Sequence, residues 1–180
     1  MSVANRRHLV AIAILAGWAL PASLATVVQA QSGTGSFIAK FQDWEVHKAR
    51  VGDATVCYAA AIPKRSQGKY KLRGETSLLV SFWPSHKIRG QVEVRAGYTY
   101  RNRSVARLRF NNGAAFKLRT DADSAWGDNA AQDRKIVKNL SDRARLTVTG
   151  RSSRGTRTVD TYSLRGFRAA FARAKSACGM

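Results

Sequence analysis

Ser152–Gly179 reads SSRGTRTVDTYSLRGFRAAFARAKSACG, and this stretch decides the architecture. Arg154-Gly155 interrupts the chain, because glycine tolerates the positive φ that tight turns demand. Thr156, Thr158, Val159, Thr161, Tyr162 and Leu164 then supply the β-branched and aromatic residues that suit a pleated surface, so a strand follows the turn. At Gly166 the period changes. Phe167, Ala170, Phe171, Ala174 and Cys178 fall at i, i+3, i+4, i+7 and i+11, one face of a helix, while Arg168, Arg173 and Lys175 point elsewhere. The chain therefore ends in a strand and a short basic helix, with a thiol at the far end of the helix's apolar stripe.

The same period-two pattern recurs upstream. Strands are expected at Phe41–His47, Thr55–Ile62, Leu78–Trp83, around Val92 and Val94, at Ala106–Phe110, around Phe116 and Leu118, and at Arg145–Thr149. LLVSFW is the most apolar of these and is expected near the centre of a sheet, and Asn112-Gly113 signals a tight hairpin. Thr120–Asn129 reads as a polar loop with one buried anchor at Ala125 and Trp126. Asp128 is expected to cap a helix running through Asn139, with Ile136, Val137 and Leu140 on its apolar side. Short strands at this spacing, with two short helices, predict a mainly β fold: an antiparallel β-sandwich or a partly closed barrel, with one helix at the C-terminus.

Arg6 and Arg7 precede an apolar run, Leu9–Leu20, which is followed by small residues ending in Val28-Gln29-Ala30. That order of basic, apolar and small-residue regions is the pattern of a secretory signal. The run is shorter than the roughly 20 apolar residues that span a bilayer, although an uncleaved anchor is the alternative. The expected organisation is a signal peptide over 1–30, a flexible lead-in over 31–40 and a single β-rich domain over 41–180. The expected destination is the periplasm, or beyond it the cell surface or medium.

Removing Arg6 and Arg7 lowers the formal charge from +20 to +18. Such a charge favours polyanionic partners and says nothing about fold. Cys57 and Cys178 are the only cysteines. In an oxidising compartment an even pair usually forms a bridge, the alternative being a free cysteine in the core.

Local motifs for catalysis are missing. The exported portion has only His47 and His86, no CxxC pair, no HExxH, no GxSxG elbow and no P-loop. Asp121, Asp123 and Asp128 cluster without the spacing of a calcium loop. No catalytic, cofactor or metal residues are therefore assigned, and a hydrolase assembled from distant positions is the minor alternative. The functional signal lies in the basic residues. Lys64, Arg65, Lys69, Lys71 and Arg73 form a basic stretch, and Arg107 and Arg109 share one side of their strand. With Arg101, Arg103, Arg151, Arg154 and Arg157 they are candidates for one anion-binding face, against the alternative of a generally basic surface that blocks edge pairing. For an exported protein the expected ligands are anionic envelope polysaccharide or lipid, or a host surface, rather than nucleic acid.

DWEV at Asp43–Val46, CYA at Cys57–Ala59, LLVSFWP at Leu78–Pro84, EV before GY within Glu93–Tyr98, DSAW at Asp123–Trp126, and SSRGTRTVDTYSLRGF followed by ACG together resemble the invasion-associated locus B family of exported bacterial proteins. The resemblance implies a periplasmic or surface β-rich domain with no catalytic motif to carry over. Some relatives have a further cysteine after the first tryptophan, where this chain reads Val46-His47-Lys48-Ala49, so Cys57 and Cys178 are left as the only intramolecular pair. The function expected is that of a non-enzymatic envelope protein with a basic face, the rival reading being a surface-exposed adhesin or invasion factor. The leader assignment has a direct check. The intact mass of protein recovered from the periplasm of an expressing cell is expected to begin at Gln31, whereas a chain retaining Met1 would make the apolar run an anchor.

Overall fold

The computed structural model describes residues 35–180. The leader expected over 1–30 and the first part of the lead-in, 31–34, lie outside the described residues. Alternation builds eleven strands: β1 (Ser36–Phe41), β2 (Trp44–Val51), β3 (Ala54–Ala61), β4 (Arg65–Gln67), β5 (Ser77–Trp83), β6 (Ile88–Arg95), β7 (Val105–Phe110), β8 (Ala115–Asp121), β9 (Ser124–Trp126), β10 (Arg145–Arg151) and β11 (Arg157–Ser163). Two helices accompany them, α1 (Ala130–Asp142) and α2 (Phe167–Ala177). All the strands join in one sheet with the order β1-β2-β3-β5-β6-β9-β8-β7-β10-β11-β4, every pairing antiparallel.

The sheet is not closed, yet it curls around one core. Trp44 on β2 and Tyr162 on β11 are far apart in strand order but belong to the same buried cluster, with Val80, Phe82, Val94, Leu108, Phe110 and Leu146. Trp44 Nε1 donates to the Ser163 carbonyl at 3.2 Å, and Asp43 N donates to the Arg165 carbonyl at 3.3 Å. The expected mainly β, antiparallel fold thus takes the form of one open, curled sheet with two helices, one of them at the C-terminus. β5 lies between β3 and β6 with Leu78–Phe82 all buried, as its predominantly apolar run, interrupted only by Ser81, implied.

Three strands lie where the sequence predicted none. β1 takes up residues 36–40 of the flexible lead-in expected over 31–40, β4 lies inside the basic stretch, and β9 lies in the polar loop. Each has a physical reason to escape periodicity. β1 is an edge strand with a register shift between Phe37 and Ala39, β4 is exposed throughout, and β9 is three residues long with only Ala125 fully buried. A second correction concerns α1. Its cap is Asn129, whose side chain accepts from Gln132 N at 3.0 Å, and the helix runs to Asp142. Asp128, the expected cap, instead pairs with Arg119 at 3.3 Å.

α2 follows its predicted stripe. Phe167 packs edge-on against Trp44 at 4.8 Å between ring centres, Phe171 lies 5.0 Å from Phe82, and Ala170 and Ala174 are fully buried. Gly166 starts the helix at φ 90°, a left-handed conformation, and a Cβ there would collide with the Phe41 carbonyl. At the other end Cys178 is bonded to Cys57 on β3 across a sequence separation of 121 residues. On the chain-entropy model such a bridge contributes about 4–5 kcal/mol. Cys178→Ser is therefore expected to loosen α2 while leaving the sheet intact. Limited proteolysis tests this: cleavage within Phe167–Lys175 should be faster in the variant than in oxidised wild type, and equal rates would refute it.

Candidate functional site

The curl decides which side of each strand meets water. In β7, Ala106, Leu108 and Phe110 enter the core, which turns Val105, Arg107 and Arg109 outward. In β10 the inward pair is Leu146 and Val148, and in β8 it is Leu118, so Thr147, Thr149, Arg151 and Lys117 face out. β11 buries Thr158, Asp160 and Tyr162 and exposes Arg157. The strand register then aligns these side chains in rows. One row runs Arg65, Thr161, Thr147, Arg109, and a second runs Gln67, Val159, Thr149, Arg107, Lys117. Arg151 opposite Arg157 begins a third.

Arg107, Arg109, Lys117, Arg151 and Arg157 line one open groove of about 630 Å³, floored in part by Thr147, Thr149 and Gly150. Among the described residues none of these five cations forms an ion pair with a carboxylate. Neighbouring strands are about 4.8 Å apart, so Arg107 against Lys117 and Arg151 against Arg157 are close like-charge pairs. Such pairs are destabilising. Guanidinium forks beside threonine hydroxyls suit the oxygens of sulfate, phosphate and carboxylate groups, and a bound anion would relieve the repulsion.

The expected patch is only partly assembled. Arg107 and Arg109 lie in the groove, and Arg65 on β4 extends its row at the sheet edge. Lys64 is beside Arg65 in sequence but its Nζ sits 2.5 Å from Asp43 Oδ1. Lys69 and Lys71 are exposed on the loop after β4. Arg73 is not a surface cation. Its side chain is 5% exposed and holds Asp160 through two bonds of 2.7 and 2.6 Å, while its Nε donates to the Ala96 carbonyl at 2.7 Å. Lys117 was missed as a patch member. The hairpin register across Asn112-Gly113 was its available signal.

Around Arg73 lies a polar cluster inside the core. Its guanidinium is over the Tyr70 and Tyr98 rings at 5.5 and 5.1 Å, and the Tyr98 hydroxyl lies 2.6 Å from Thr158 Oγ1. Burial works against the Arg73 charge but Asp160 overrides it, so its pKa lies above the ordinary arginine value. Burial also raises Tyr98, Tyr100 and Tyr162, and the Tyr162 hydroxyl is buried without a hydrogen-bond partner among the described residues. The cluster is closed by protein groups and reads as a scaffold.

Other titratable groups are dispersed. Burial pushes Asp133 up to about 6, with a 3.4 Å bond from Val92 N opposing it, but the side chain is packed against Gly127 beneath α1. His47 contacts Glu45 at 3.3 Å and stacks on Tyr58, and His86 Nδ1 is 3.1 Å from Ser85 Oγ on an exposed turn. Neither histidine joins a hydroxyl nucleophile and a carboxylate in one hydrogen-bonded array among the described residues. Nor, among those residues, do three or more His, Cys, Asp or Glu side chains gather as metal ligands.

The model of the Invasion associated locus B (IalB) protein family matches residues 44–175. The chain belongs to the IalB family. No curated protein and no solved structure matches it. The matched span of this IalB-family member runs from Trp44 through most of α2, and so takes in the groove and the Arg73–Asp160 pair. IalB is not a known enzyme family.

The buried pair yields a prediction. Removing one partner from a buried ion pair typically costs about 3–5 kcal/mol, whereas replacing both with apolar residues of similar volume often costs far less. Asp160→Asn is therefore expected to destabilise strongly, and Arg73→Met with Asp160→Leu to recover much of the loss. Urea unfolding measures both, and an Asp160→Asn protein as stable as wild type would contradict the role assigned to the pair.

Proposed function

We propose that this IalB-family chain is an exported, non-catalytic envelope protein whose arginine-rich sheet face holds a polyanion, either anionic envelope polysaccharide or anionic lipid. The observation that carries the reading is the groove itself: five outward cations on four neighbouring strands, set in register without a paired carboxylate among the described residues. A basic surface serving only solubility or edge protection does not require cations opposite one another in the interior of a sheet, where they repel. The secretory pattern at Arg6–Ala30 supports a periplasmic setting, in which envelope polysaccharides and lipids are the abundant polyanions.

The test is a salt series with dextran sulfate and neutral dextran. Wild type is expected to bind only the sulfated polymer, with affinity falling steeply as salt screens the charges. Replacing Arg107, Arg109, Arg151 and Arg157 together by Gln should weaken binding at low salt by about tenfold or more, since each contributes a charge-assisted contact. Lys64→Gln should have little effect because that cation already faces Asp43. Unchanged binding by the fourfold variant would remove the groove from the function.

A further inference from the structure

We infer that the loop tip Lys69–Leu72 docks the protein on an anionic lipid bilayer, with Leu72 entering the acyl boundary and Lys69 and Lys71 meeting the headgroups. This inference rests on the cationic-face reading and names its ligand as lipid. Leu72 is 94% exposed, the most exposed of the large hydrophobic side chains among the described residues, and Tyr70 two residues earlier is 39% exposed. Exposed cations flank both, in the order Lys69-Tyr70-Lys71-Leu72. An apolar tip with an aromatic and lysines around it is the arrangement that interfacial segments use, where charge attracts the surface and apolar area retains it.

The tip is held in place rather than left to fold back. Arg73, immediately after Leu72, is anchored by Asp160 and the Ala96 carbonyl, and Gly74 N donates to the Gly97 carbonyl at 2.9 Å. Tyr70 lies under the same guanidinium at 5.5 Å. On the other side, Thr156 Oγ1 donates to the Lys69 carbonyl at 3.4 Å, and a Cβ on Gly68 would lie 2.9 Å from the Arg157 carbonyl. These contacts place the tip at the Arg151–Arg157 end of the groove, so that apolar tip and unpaired arginines border one another. Glu75 and Asp123 line a separate hollow beyond the anchor. A soluble polysaccharide has no use for an exposed leucine, whereas a bilayer offers it a place out of water.

The experiment uses protein processed by an exporting host and sedimented with phosphatidylcholine vesicles, with and without phosphatidylglycerol, with dextran sulfate as the soluble probe. Wild type should bind the anionic vesicles and not the neutral ones. Leu72→Ala should weaken vesicle binding about tenfold, as loss of buried methyl and methylene groups requires, and leave dextran sulfate binding unchanged. Leu72→Trp should keep vesicle binding and shift its emission to the blue on anionic vesicles alone. Equal vesicle binding by Leu72→Ala and wild type, or an equal loss on both probes, overturns the inference. Dextran sulfate binding by wild type without vesicle binding overturns it too but leaves the cationic-face reading standing. Failure on both probes removes that reading and the inference together.

Discussion

One buried indole ties the sheet to itself. Trp44 begins the second strand in the order, and its ring nitrogen reaches the end of β11 near the far edge, while its ring meets Phe167 of α2. An antiparallel sheet of this width twists, and without a contact between its distant strands it would have to bury its apolar face against another layer. Here the layer is supplied by its own curl, completed by α1 and α2. The Cys57–Cys178 bond then fixes α2 at the end opposite to its contact with Trp44.

That curl determines the division of chemistry between the two faces. Once alternate residues of β7, β8, β10 and β11 are committed to the core, the arginines and lysine between them have no choice but to face outward together. Of the polar groups that enter the core, Asp160 is matched by Arg73 and Thr158 by Tyr98, while the Tyr162 hydroxyl finds no partner among the described residues. The Arg73–Asp160 pair serves two levels at once. It neutralises a carboxylate that the β11 alternation forces inward, and it roots the loop that carries Tyr70 and Leu72.

The eight strands legible in the sequence were those that bury a face, or both faces in β5, because burial imposes the alternation or the apolar run that a reader detects. β1, β4 and β9 pair through their backbones while burying little, so they left no pattern. The helix start was misplaced by one residue, since Asp128 and Asn129 are both good caps and only the Gln132 amide distinguishes them. The site was legible in the same uneven way. Arg107 and Arg109 could be set on one face from spacing alone. Arg73 could not be separated from its basic neighbours, because nothing in Lys69–Arg73 says that a carboxylate 87 residues later will be waiting inside.

By itself the sequence determined the mainly β class, the C-terminal helix and its apolar stripe, and the strong positive charge, because each follows from local period or composition. Its motifs also carried the family resemblance. Only the tertiary structure decided that the strands form one curled sheet, that cations from β7, β8, β10 and β11 converge on one groove, and that Arg73 is withdrawn from it. Those outcomes depend on strand order and register, which are set by contacts between residues far apart in the chain, and no local spacing encodes them.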